Sequence, residues 1–271
     1  MSPTNELYLP LINAYDHFND QLFDGALAPV IFTLQRKKHV MGFFAAQRWG
    51  NIDGKTCSEI AINPSYFASS RLIEVMQTLV HEMAHAWQHQ YGTPSDGHYH
   101  NKEWALQMAK IGLMPSDTGE PGGSVTGRHM SDYILKNGRF LKAAETLIAD
   151  ESFTLLWVDR FALPKLHEPV VVDSTLSAGD QTSTDTLMAM SSGAGQDVIQ
   201  PLNAHCHQEY PAMPQSLQDQ LGDSFFIQEV AKRQTRQKYE CPNCLNKVYG
   251  KRELNIICAD CELPYVAKVS Q

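Results

Sequence analysis

Leu79-Val80-His81-Glu82-Met83-Ala84-His85-Ala86-Trp87 lies inside a stretch, residues 71–91, whose apolar positions recur at helical spacing. Leu72, Val75, Met76, Leu79, Val80, Met83 and Trp87 share one side of such a helix, and His81 and His85 fall on the other. Ser69-Ser70 is the expected N-cap, Glu74 lies in the first turn, and Gly92 with Pro94 closes the segment. Packing therefore takes one face and leaves two imidazoles, on adjoining turns, facing a cleft. The pair can grip one ion, zinc being well matched to imidazole nitrogen, and Glu82 beside it can accept a proton from water.

A third ligand must come from elsewhere. His98, His100 and Glu103, around the start of a helix expected over residues 101–111 and ended by Gly112, are all chemically competent. His89 also follows His85 by four, but Ala86 stands where an adjacent base would be needed, so it reads as a solvated histidine. Upstream, Leu7, Leu11, Tyr15, Phe18 and Leu22 mark an amphipathic helix stopped by Asp24-Gly25. Three apolar runs, residues 30–34, 41–49 and 59–62, read as strands of a small antiparallel sheet. Residues 115–127 read as a long surface loop, with Tyr133-Ile134 and Phe140-Leu141 as the next apolar anchors.

Near the C-terminus, Cys241-Pro242-Asn243-Cys244 and Cys258-Ala259-Asp260-Cys261 form two CxxC pairs. Four thiolates at this spacing make a closed, structural zinc site and argue against disulfides; Cys57 and Cys206 read as free thiols. Residues around 247–249 and 255–257 would be the strands of a zinc ribbon too small to hold together without metal. Lys247, Tyr249, Lys251 and Arg252 form a basic, aromatic surface suited to phosphates and exposed bases, so single-stranded DNA is a candidate partner.

The net charge of −8 is unevenly distributed. Residues 151–230 hold eleven acidic side chains against Arg160 and Lys165, and from about residue 166 periodicity gives way to Ser, Thr, Gly, Ala, Asp and Gln. This reads as an acidic low-complexity linker, residues 166–230, between an N-terminal domain, 1–165, and the ribbon, 231–271. No run of about 18 apolar residues and no secretory signal is visible, so a soluble, cytoplasmic protein away from membranes is expected, nucleoid-associated if it binds DNA.

The run from Leu79 to Trp87, followed by Gly97-His98 and His100-Asn101-Lys102-Glu103-Trp104, resembles the SprT/Spartan metallopeptidases, in which HExxHA precedes a third zinc histidine in an HxxEF-like motif. The resemblance maps that ligand onto His100 and puts Trp104 in place of the usual Phe. Phe18-Asn19 and Leu22-Phe23-Asp24-Gly25 with the short strands also look like the family's core. It implies an α+β, zincin-like core of helices on a small antiparallel sheet, with a C-terminal ribbon beside it. It also implies a zinc metallopeptidase acting on protein substrates, among them proteins crosslinked to DNA.

The expected inventory is one catalytic zinc on His81, His85 and His100, with Glu82 as general base, and one structural zinc on Cys241, Cys244, Cys258 and Cys261. Tyr99, Arg128, His129 and Tyr133 are candidate oxyanion donors. The competing expectation is a non-catalytic nucleic-acid-binding zinc protein, serving transcription or plasmid maintenance, in which the ribbon does the work.

Overall fold

The computed structural model describes residues 1–149, 153–163, 171–172 and 237–268. They fall into two compact units, divided between Ile227 and Gln228. The fold is mixed α and β, with four helices and several small sheets among the described residues.

The first unit opens with α1, Pro3–Phe23, capped by Ser2, whose hydroxyl accepts from Asn5 N. Asp24 (φ 57°) and Gly25 (φ 68°) turn the chain out of it in left-handed conformations. Asn19 fixes the exit by donating to Leu27 O and accepting from Leu27 N. Then come β1, Ile31–Leu34, β2, Gly42–Gly50, and β3, Thr56–Ile62. The order is β1-β3-β2: β2 and β3 are an antiparallel pair, but β1 runs parallel to β3. The sheet is therefore mixed, not antiparallel as expected. The chain reverses after β1 and again after β2, so β3 points the same way as β1, and β3 inserts between the other two. Glu59, buried at its centre, accepts from Thr33 and Gln35 of one side and Trp49 of the other.

Helix α2, Leu72–Tyr91, follows as the spacing predicts. Its N-cap is Arg71, not Ser69-Ser70. Ser69 Oγ is already committed to Leu163 O at 2.7 Å, and Ser70 N to Tyr66 O, while the Glu74 carboxylate accepts from Arg71 N at 2.5 Å. Val75, Met76, Leu79, Val80 and Met83 are buried in the core, and Leu72 and Trp87 pack against it. Helix α3, Lys102–Ile111, is capped by Asn101 at one end and by Gly112 (φ 96°) at the other.

Residues 115–127 are only partly a surface loop. Their first two belong to β4, Leu113–Ser116, which is buried throughout and pairs antiparallel with β5, Ser131–Leu135. Helix α4, Arg139–Ala149, then packs on α1 by stacking Phe140 on Phe18. Gly112 lies against Gly138 and Arg139 N, where an added Cβ would come within 2.8 Å of backbone, so the α3–β4 and β5–α4 junctions meet at a position only glycine fits. The linker expected over 166–230 lies outside the described residues except for β6, Val171–Val172, which pairs parallel with β5 and buries Val172.

The second unit holds β7, Gln237–Glu240, β8, Lys247–Gly250, β9, Ile257–Cys258, β10, Leu263–Pro264, and β11, Val266–Lys268. Strands β11-β7-β8 form one antiparallel sheet and β9-β10 a second. Among the described residues no helix is long and apolar enough to cross a membrane.

Candidate metal centres

His81 and His85 project from α2, and His100 stands just before the N-cap of α3. One nitrogen from each lies within 4.8 Å of the other two. His100 is held by a short bridge to Gly127: His100 N donates to Gly127 O at 2.8 Å, Gly127 N donates to His100 O, and the His100 Nδ1 contacts Gly127 O at 3.0 Å. A hydrogen bond to a carbonyl requires the proton on Nδ1, which leaves the Nε2 lone pair free. On His81 the same assignment follows from Asp132, whose Oδ2 lies 2.9 Å from Nδ1. His85 Nε2 and His100 Nε2 are 3.1 Å apart. Two nitrogens on one tetrahedral zinc, each at its usual bond length, would be separated by roughly 3.3 Å. The donor set therefore fits zinc.

His98 and Glu103, the other chemically competent ligands, stand elsewhere. His98 is exposed, and the Glu103 carboxylate accepts from Gln88 and from Thr93 N. His89 is half-buried with its ring 5.9 Å from Phe44, rather than solvated. Of the oxyanion candidates, Tyr133 is buried in the core, Tyr99 bonds Thr126 and Arg128 bonds Gly97 O, while His129 is exposed.

The electrostatics keep two of the three rings neutral. Burial, the neighbouring His81 and His100 and more distant His98 push His85 well below its usual value. Burial and His81 bring His100 down to about 4. His81 goes the other way: burial opposes its charge, but the bond to Asp132 and the Glu82 and Asp132 charges outweigh it. Burial lifts Glu82 to about 7, against the pull of His81 and of the Phe44 backbone N–H. Trp104, fully buried, lies beneath all three imidazoles, with ring centroids 5.0 Å from His81, 5.2 Å from His85 and 4.4 Å from His100.

Two contributors escaped the sequence reading. Asp132 is a carboxylate inside an apolar strand, and only the β4–β5 pairing brings it to His81. Gly127 acts through its backbone, which carries no residue-type signal at all. Gln77, which precedes His81 by four on the same helical stripe, bonds Asp132, a contact visible only in the folded chain.

In the second unit Cys241, Cys244, Cys258 and Cys261 bring their sulfurs within 4.8 Å of one another. The two knuckles match: Leu245 N donates to Cys241 O and Glu262 N to Cys258 O, with Leu245 (φ 61°) and Glu262 (φ 53°) both left-handed. The Cys244 backbone N–H holds the Cys241 thiol down at about 7. Four converging sulfurs, none in a disulfide, fit a closed tetrahedral zinc.

A SprT-like family model matches residues 11–124. An uncharacterized protein in the mucB 3' region of Salmonella typhimurium is 44% identical over 59 residues, covering 21% of this chain and 80% of that protein. The chain belongs to the SprT-like family. The match takes in α1 from Leu11 onward, the first sheet, α2, α3 and β4, and with them all three imidazoles, while β5 and the four-cysteine unit lie beyond it. No solved structure matches this SprT-like chain.

Proposed function

We propose that this SprT-like protein is a zinc-dependent metalloendopeptidase, and that Glu82 is its general base. The observation that carries the reading is the convergence of the three imidazole nitrogens, with a buried carboxylate next to them in sequence and space. A zinc ion held by His81, His85 and His100 would supply Lewis acidity toward water and a peptide carbonyl. Glu82, buried beside the imidazoles, takes the proton from the attacking water and returns it to the leaving nitrogen. Trp104 and the core of α2 exclude water from beneath the site.

The test is Glu82→Gln, which removes the base and spares the imidazoles. Cleavage of a denatured protein substrate should fall by at least about 100-fold while zinc content stays constant. Proteolysis at the wild-type rate would overturn the proposal.

The second unit supports a finer reading, in which the substrates are proteins bound or crosslinked to DNA. Lys247 and Tyr249 point outward from β8, an edge strand, and Lys251 and Arg252 are exposed just after it. Such a face offers phosphate contacts and a stacking platform for single-stranded DNA. The same surface also favours the non-catalytic alternative. Salt-sensitive DNA binding that survives Glu82→Gln is common to both, so loss of proteolysis in that variant is what separates them.

A further inference from the structure

Asp132 is eight per cent exposed, and among the described residues no lysine or arginine pairs with it. Its Oδ2 meets His81 Nδ1 at 2.9 Å, and its Oδ1 accepts from Gln77 Nε2 at 2.7 Å. Gln77 Nε2 also donates to the Asp132 carbonyl at 2.9 Å, so one amide holds both the side chain and the backbone of this residue. Gln77, His81 and His85 succeed one another at four-residue steps along α2, so carboxylate and metal-facing imidazoles are joined through one helical stripe. Burying a carboxylate without a cationic partner is costly, and it is tolerated where hydrogen bonds and a charge nearby compensate. Here the compensating groups are Gln77 and His81.

From this geometry we infer that Asp132 is a positioning residue for the histidine metal centre, fixing His81 as the Nδ1–H tautomer and strengthening Nε2 as a ligand. A carboxylate accepting from the remote ring nitrogen of a metal-binding histidine sets ring orientation and raises ligand basicity. His100 receives the same orientation from a neutral acceptor, Gly127 O, so the charged contribution falls on His81 alone of those two. Asp132 lies on β5, past the residues that the SprT-like family model matches. The sheet formed by β4, β5 and β6 thereby has a part in metal binding as well as in the core. The inference rests on the reading of His81, His85 and His100 as zinc ligands.

The experiment is a zinc competition titration against a chromophoric chelator, using the full chain. The proteins are the wild type, Asp132→Ala, Asp132→Asn and the His81→Ala/His85→Ala double variant. Asp132→Ala should weaken zinc at the histidine centre about 10- to 100-fold and leave the four-cysteine zinc untouched. Asp132→Asn keeps an oxygen for Nδ1–H but not the charge, and should fall between. Long-range nitrogen–proton NMR of the zinc-free protein, at a pH high enough to leave the ring neutral, should show His81 as the Nδ1–H tautomer in the wild type and a mixture in Asp132→Ala, a change that mere loss of packing would not produce.

Wild-type zinc affinity in a folded Asp132→Ala variant would overturn the inference and leave the peptidase reading standing. If that variant does not fold, wild-type zinc affinity at the histidine centre of Asp132→Asn would overturn it equally. A double histidine variant that holds as much zinc as the wild type would instead remove the metal centre, and the inference with it.

Discussion

Trp104 is the side chain on which the three imidazoles rest, and its indole N–H is buried with no hydrogen-bond partner among the described residues. An unpaired buried donor costs about 1–3 kcal/mol, so the indole is kept for its shape and not for its polarity. Phenylalanine, the usual residue at this place in the resemblance to SprT/Spartan enzymes, removes that cost and leaves a small void. The two effects oppose each other. Trp104→Phe should therefore change stability by no more than about 1–2 kcal/mol and retain zinc at the histidine centre. Trp104→Ala loses the support altogether and should cost about 3–5 kcal/mol, with zinc affinity falling as the rings gain freedom. Calorimetry and zinc titration of the two variants check this. Equal loss of zinc in both would mean that the indole does more than fill space.

At the scale of elements, the segment 153–163 is a strap that holds the entry to α2. Phe153 and Leu155 are buried, Leu163 bonds Ser65 and Ser69, and the Asp159 carboxylate meets Arg36 Nε at 2.5 Å and Ser65 Oγ at 3.4 Å. Burial raises the Asp159 carboxyl, but the Arg36 and Phe161 N–H hydrogen bonds, the Arg36 charge and the Ser65 hydroxyl outweigh it and hold it below its ordinary value of 3.8. A depressed carboxyl stabilises the fold above its unfolded pKa, and that contribution is lost as pH falls through the lower, folded value. Because Arg36 is largely exposed, the gain is below about 1 kcal/mol and screened by salt. Wild type and Asp159→Asn should thus differ slightly in stability near pH 7, and the gap should close below about pH 4 or in high salt. A gap that widened in acid would contradict the pairing.

The same strap explains why the sequence misleads at Ser69-Ser70, since these residues look like caps until the strap and a preceding turn claim their polar groups. The body of α2 was legible because five of its apolar positions all face one core. Helix α4, by contrast, was missed: Phe140, Ala143, Ala144 and Leu147 stand at helical spacing, but the sequence reading takes only Phe140 and Leu141, as apolar anchors. The parallel placement of β1, the β4–β5 pairing and the arrival of Asp132 at His81 depend on contacts between distant residues, which no local pattern encodes.

For the molecule as a whole, the two candidate zinc centres sit in units with very different reserves. The N-terminal unit buries α1, α2, α3, α4 and the strands between them in one extensive cluster, so its fold does not depend on an ion at the imidazoles. In residues 237–268 the buried side chains are Tyr239, Cys241 and Cys258, and two of those three are themselves metal-ligand candidates. Tyr239 ties the segment together by donating to Lys251 O and accepting from Leu254 N, but one aromatic ring is too little core for independent stability. Binding free energy at four thiolates is then folding free energy. A strong chelator should consequently abolish the structure of the second unit while the helical signal of the first persists, and calorimetry should show one transition lost and one kept. Cys258→Ser should reproduce the loss without chelator, whereas His81→Ala/His85→Ala should leave both transitions in place and remove one zinc. If chelation instead melted the helices, the imidazole site would be holding the N-terminal fold together, and its core would be less self-sufficient than its burial implies.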